Sequence, residues 1–222
     1  LKGRRHYYEV AHERAGILKT VFPVDVLANL GVKNYFVTNA AGGLKETYKE
    51  ENVMVIRSQY NKIPNSLLGR IHRFFRVDDG KPVERFVAMS DAYNDKLADL
   101  LYESGTEASK LKINNGSYAG VTGPYYETRE DVRDLRDNDC DAVGMSTTPG
   151  VLKARQRGMN VVGLSLITNA INAAGDNLAD HAEVKDVADR PHVQTGLRNM
   201  VLTFFAGYKE KYEGKPELLR AA

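Results

Sequence analysis

The stretch DAVGMSTTPGVLKARQRGMNVVGLSLITN, Asp141–Asn169, carries a whole strand–helix–strand unit in one run. Asp141–Gly144 reads as a strand end followed by a tight polar turn. Thr148-Pro149 opens a short helix, because threonine can cap a first turn and proline suits the first helical position. Gly158 closes that helix. Val161–Ile167 is a near-continuous apolar run, the pattern of a strand covered on both faces. It finishes in the polar pair Thr168-Asn169.

Two further strand candidates end the same way. Tyr35–Thr38 runs into Asn39-Ala40-Ala41-Gly42-Gly43, and Tyr118–Val121 runs into Thr122-Gly123-Pro124-Tyr125-Tyr126-Glu127. Val53–Arg57 is another strand. A helix is expected from about Pro23 to Gly31, with proline in the first turn and glycine as the stop. Asp95–Ser104 has leucines at helical spacing. Thr128–Leu135 opens on a capping box formed by Thr128 and Asp131. Val193, Leu197, Met200, Val201, Phe204 and Tyr208 mark one stripe of a long C-terminal helix. Gln59–Pro82 reads as a long surface excursion. Strands alternating with helices predict a single α/β domain with a mixed, largely parallel central β-sheet flanked by helices. Open sheets of this class bind ligands beyond the carboxyl ends of their strands. The polar strand ends therefore form one candidate pocket.

The balance of 31 basic against 29 acidic side chains leaves no footprint for nucleic acid. No apolar run reaches the roughly 20 residues of a membrane span, so no membrane partner is expected. The one cysteine, Cys140, excludes a disulfide framework and fits a reducing, cytoplasmic compartment. It sits among Asn138, Asp139 and Asp141, where acidic neighbours keep a thiol protonated, so a buried, inert role is expected.

Six segments carry a family resemblance: GRRHYYE (residues 3–9), VTNAAGG (37–43), FVAMSDAY (86–93), GPYYETRED (123–131), DAVGMSTTP (141–149) and GLSLITN (163–169). In this order and at these spacings they resemble the trimeric purine nucleoside phosphorylases, across almost the whole chain. The resemblance implies a nucleoside phosphorylase-like fold. It also implies phosphorolysis of 6-oxopurine (deoxy)ribonucleosides such as inosine and guanosine, giving free purine and (deoxy)ribose 1-phosphate. Inorganic phosphate is then a co-substrate. No cofactor and no metal are expected, and no cluster with metal-ligand spacing stands out in the sequence.

Each residue has a physical reading beside that resemblance. For phosphate, Arg4 offers a bidentate fork, His6 a ring N–H, and Ser146 a place just before a helix N-terminus. The small run around Ala40 lets a ligand approach the backbone, and the resemblance assigns phosphate contacts to Arg4, His6, Ala40 and Ser146. The plain alternatives are a solvated arginine, a structural histidine and a glycine-rich turn that permits tight packing. For the base, the Glu127 carboxylate can accept hydrogen bonds from the N–H edge of hypoxanthine or guanine. The Asn169 amide N–H can donate to N7 or O6, and Tyr126 can pack on the ring. Glu127, Asn169 and His6 are the candidate catalytic residues. Adenine presents a lone pair at N1, so a carboxylate there discriminates against it. The similar methylthioadenosine phosphorylases carry Asp where this chain has Asn169; the alternative for Asn169 is a strand-end cap.

For the sugar, Met145 can lie against the ribose and Tyr8 can reach ribose or phosphate. Val143, Gly144 and Thr168 flank these positions in the same motifs and are expected substrate contacts. By resemblance, His181 meets the 5′-hydroxyl and Phe86 reaches into a neighbouring subunit's site, which implies a homotrimer. Core packing is the default for Phe86 and Met145. The family's glycine-rich loop with a phosphate-binding serine, and a further histidine, lie upstream of GRRHYYE. The expectation is thus one phosphorylase domain over residues 1–222 that lacks its N-terminal phosphate-loop segment. Val10, Glu51-Asn52 and Gly150 depart from the family's usual residues. An adenosine or methylthioadenosine type of phosphorylase, and a catalytically weak nucleoside-binding trimeric module, are the competing readings.

Overall fold

The computed structural model describes residues 16–65, 86–177 and 181–219, the side chains of residues 16–18 and 181 excepted. Strands β1 (Asn34–Gly43), β2 (Val53–Asn61), β3 (Ile113–Gly120), β4 (Ala142–Gly144) and β5 (Asn160–Ala170) form the sheet. Helices α1 (Gly16–Asn29), α2 (Asp95–Ala108), α3 (Arg129–Asp137), α4 (Thr148–Gln156), α5 (His181–Asp189) and α6 (Pro191–Tyr212) surround it.

The strands close on themselves in the order β1-β4-β3-β2-β5. β1 pairs with β5 in parallel, as β3 does with both β2 and β4. The β1–β4 and β2–β5 pairings are antiparallel. The sheet is mixed, but it is a closed barrel rather than the open sheet expected. The cause lies in β1. Asn39–Gly43, read above as a turn, is strand. It pairs with β5 to the end, shifts register between Ala41 and Gly42, and then meets β4 through Gly42–Val143 and Gly43–Ala142. Glycine allows this close approach. A Cβ on Gly43 would lie 3.0 Å from the Tyr48 Cβ and 3.1 Å from the Ile167 Cγ2.

Strand side chains alternate between two cores, as the period of two requires. Tyr35, Val37, Met54, Ile56, Tyr118, Val161 and Ile167 share one cluster with Val24, Val151 and Met159. Val53, Val55, Val162, Leu164 and Leu166 share another with Leu97, Leu101, Met200 and Phe204. β5 is thus buried on both faces, as its apolar run predicts. A smaller cluster under α3 holds Val132, Leu135, Cys140 and Val143.

Local signals set most helix ends. Thr128 and Asp131 make the reciprocal capping box. Gly31, at φ +83°, ends α1 with the paired bonds Gly31 N–H to Ala28 O and Val32 N–H to Leu27 O. Two expectations need correction. α1 begins seven residues before Pro23, which lies inside the helix. Burial of Val21, Val24 and Ala28 outweighs the backbone hydrogen bond that proline forfeits. The N-cap of α4 is Thr147 rather than Thr148, whose hydroxyl instead donates to Asn61 Oδ1 at 2.6 Å.

Gly196 in α6 provides a test of packing. Glycine to alanine inside an open helix gains about 1 kcal/mol. Here a Cβ would lie 2.6 Å from the Ser109 carbonyl oxygen and 2.8 Å from the Leu111 Cγ. Gly196→Ala should destabilise by about 1–3 kcal/mol, measured as a lower urea midpoint at unchanged slope. A midpoint at or above the parent's contradicts this packing. Among the described residues, no helix is long and apolar enough to cross a membrane.

Candidate active site

The carboxyl ends of β1, β4 and β5 and the chain leading into α3 converge on one cavity of about 560 Å³. Small-molecule sites run to roughly 300–1,000 Å³. β1 brings Ala40 to its wall; β4 and the following bend bring Val143, Gly144, Met145 and Ser146. The end of β5 supplies Thr168 and Asn169, and the segment before α3 supplies Tyr126 and Glu127. Nine residues expected from the sequence therefore line a single space. Met145 lines the cavity instead of entering the core, and Tyr126 is partly exposed.

Glu127 and Asn169 are joined through a residue that the sequence did not single out. The Asn177 Nδ2 donates to Glu127 Oε2 at 2.8 Å, and the Asn169 Nδ2 donates to Asn177 Oδ1 at 3.0 Å. The Thr168 hydroxyl lies 3.4 Å from Asn169 Oδ1 as a donor. Gly42 leaves room for this amide, since a Cβ there would lie 3.1 Å from Asn169 Nδ2. Burial lifts the Glu127 carboxyl above the usual carboxylate range; its own backbone N–H and Asn177 pull it down, and nearby Asp131 pushes it up. No motif announces Asn177. It lies in the segment after β5, where the only cue is a polar residue following a polar strand end.

A second corner of the cavity is built from hydroxyls. Ser146 Oγ lies 3.1 Å from Thr147 Oγ1, which accepts from Asn39 Nδ2 at 2.9 Å. Thr147 adopts φ +70°, a left-handed conformation unusual for a β-branched residue. Strain of this kind concentrates at ligand sites. Pro149 and Gly150, from the first turn of α4, line the same corner. The first N–H groups of a helix lack intrahelical partners and favour an anion.

The remaining candidates are Arg4, His6, Tyr8, His181 and Phe86. Arg4, His6 and Tyr8 fall outside the described residues. His181 opens α5, its side chain outside the described atoms, while Val184 of the same helix lines the cavity. Phe86 is 81% exposed and lies neither in this cavity nor in the core. Cys140 is buried, and burial with three neighbouring aspartates pushes its thiol up to about 11, as its acidic surroundings suggested. Among the described residues, no group of three or more His, Cys, Asp or Glu side chains is placed to hold a metal ion.

Residues 17–196 match the family model described as the phosphorylase superfamily. Purine nucleoside phosphorylase 1 of Bacillus subtilis is 37% identical over 210 residues, covering 94% of this chain and 72% of that protein. Purine nucleoside phosphorylase 1 of Geobacillus stearothermophilus is 37% identical over 191 residues, covering 86% and 65%. The purine nucleoside phosphorylase of Mus musculus is 38% identical over 194 residues, covering 84% and 63%. The matches span between 63% and 72% of the length of these relatives.

Proposed function

The chain belongs to the phosphorylase superfamily, and on that premise we propose that it is a purine nucleoside phosphorylase acting on 6-oxopurine (deoxy)ribonucleosides such as inosine and guanosine. One observation carries the reading: Glu127 and Asn169, far apart along the chain, line the same cavity and are bridged within it. The reaction takes phosphate and nucleoside to free purine and (deoxy)ribose 1-phosphate, and calls for no cofactor.

As the glycosidic bond breaks, positive charge develops on the ribose and negative charge on the purine. Phosphate attacks the anomeric carbon from the face opposite the base. The Glu127 carboxylate accepts the N1–H of the purine and holds the ring. The Asn169 amide meets N7 and O6, where the departing electron pair spreads. Hydrogen bonds aimed at developing charge in a partly dry cavity supply the main stabilisation. The Ala40 and Ser146 corner receives phosphate, and Arg4 and His6 complete its contacts. Met145, Val143, Gly144, Thr168 and Tyr8 face the nucleoside, Tyr126 covers the base and His181 meets the 5′-hydroxyl. Residues 1–222 act as one phosphorylase domain in the cytoplasm, where a lone cysteine stays reduced. Exposed Phe86 reaches a neighbouring copy's site in a homotrimer.

The test is phosphate-dependent release of hypoxanthine from inosine. Adenosine should be a poor substrate, because its N1 lone pair faces a carboxylate. Cleavage of adenosine in preference to inosine, or release independent of phosphate, contradicts the reading. The pH profile is a second test. Only ionised Glu127 accepts N1–H, so kcat/KM for inosine falls as pH drops through its pKa. Burial raises that pKa, so activity should be lost at higher pH than an ordinary glutamate, near about 4.3, would dictate. A kcat/KM that stays flat down to that pH removes Glu127 from the base contact.

A further inference from the structure

Asn177 bridges the two residues assigned to the purine, and the direction of its hydrogen bonds is chemically determined. An ionised carboxylate only accepts. Glu127 Oε2 must therefore face the NH₂ of Asn177, at 2.8 Å. That turns the Asn177 carbonyl toward Asn169, which must answer with its own NH₂, at 3.0 Å. One N–H of Asn169 is spent on this contact. Its second N–H and its carbonyl oxygen, with Thr168 Oγ1 3.4 Å from that oxygen, remain for a ligand. Thus the charge on Glu127 sets the orientation of an amide that it does not touch.

The same bridge acts on Glu127. A donor on Oε2 favours the ionised carboxyl, opposing the burial that favours the neutral one. A neutral Glu127 could donate to the N1 lone pair of a 6-aminopurine. An ionised one cannot. We propose that Asn177 is a positioning residue that holds Glu127 as an acceptor and fixes the amide orientation of Asn169, so that the site selects 6-oxopurines over 6-aminopurines. This rests on the purine reading of the cavity given above.

The test uses Asn177→Asp and Asn177→Ala in the full chain, with Glu127→Gln alongside. Asn177→Asp keeps the shape but places a second carboxyl beside Glu127. Like charges at hydrogen-bond distance force one group to hold a proton. We expect kcat/KM for inosine to fall about 10- to 100-fold, since the loss involves hydrogen bonds to a charged group. The adenosine-to-inosine ratio of kcat/KM should rise at least about tenfold, and the acid limb should move alkaline by about one pH unit. Asn177→Ala should move the ratio and the limb the same way by smaller amounts, and it serves if the aspartate variant does not fold. A residue that merely fills the segment after β5 would change thermal stability and leave the substrate ratio and the acid limb at their parent values. That result, with Glu127→Gln still lowering inosine kcat/KM, overturns the role of Asn177 alone. If Glu127→Gln leaves inosine turnover intact, the purine reading fails and this inference falls with it.

Discussion

Glu127→Ala is expected to cost more on guanosine than on inosine. Guanine offers the carboxylate two N–H donors, N1–H and the 2-amino group, where hypoxanthine offers one. A hydrogen bond to a charged group contributes about 1.5–3 kcal/mol. Inosine kcat/KM should fall by about 10- to 100-fold and that of guanosine by about 10²–10⁴-fold. The fold should survive. The Glu127 pKa is raised in the folded protein, so its ionised form is disfavoured by folding. Above the pKa of the unfolded chain that is a destabilising contribution, and removing the carboxyl withdraws it. Thermal unfolding at neutral pH should show no loss of stability traceable to the charge. Steady-state kinetics on both nucleosides decide the matter. Losses below about threefold on each, or an equal loss on the two, would detach Glu127 from the purine edge.

Asn169→Ala should act on a different kinetic constant. Its contacts to N7 and O6 strengthen as the purine gains negative charge, so they belong mainly to the transition state. Removing one such donor typically costs about 10²–10³ in kcat. We expect kcat for inosine to fall by that factor while KM changes much less, the signature of an interaction made late on the reaction path. The loss should not add simply to that of Glu127→Ala. The two groups share Asn177, and residues in one hydrogen-bonded network couple when mutated together. An unchanged kcat would falsify the role given to Asn169. A fully additive double variant would show that the bridge carries no energy between them.

Much of this was legible along the chain because the signals are short-range. The strand Val161–Ile167 announces itself by composition, and the structure buries β5 on both faces. The Thr128–Asp131 capping box needs only four consecutive residues. The order of six motifs points to the family, and the family model covers most of the chain. Seven of the expected site residues lie at strand ends or the bends after them, Tyr126 and Glu127 lie in the segment leading into α3, and all nine line one cavity.

Other features have no local signature. Asn39–Gly43 looks like a turn because its residues are small, yet smallness is what lets β1 run on beside β5 and pair with β4. That pairing closes the barrel. Pro23 looks like a helix start until Val21 and Val24 are seen to be buried, at which point packing holds together a helix that proline weakens. Asn177 has no motif. Its importance arises only when the segment after β5 returns across the cavity and meets a carboxylate fifty positions earlier. Composition, periodicity and capping act within a turn or two of chain and are written residue by residue, so they identified the elements, while the order of six motifs pointed to the family and to the two groups proposed to face the base. Barrel closure and the polarity of the Glu127–Asn177–Asn169 chain depend on which distant backbones can approach and on which atoms can donate. Those relations exist only once the chain has folded.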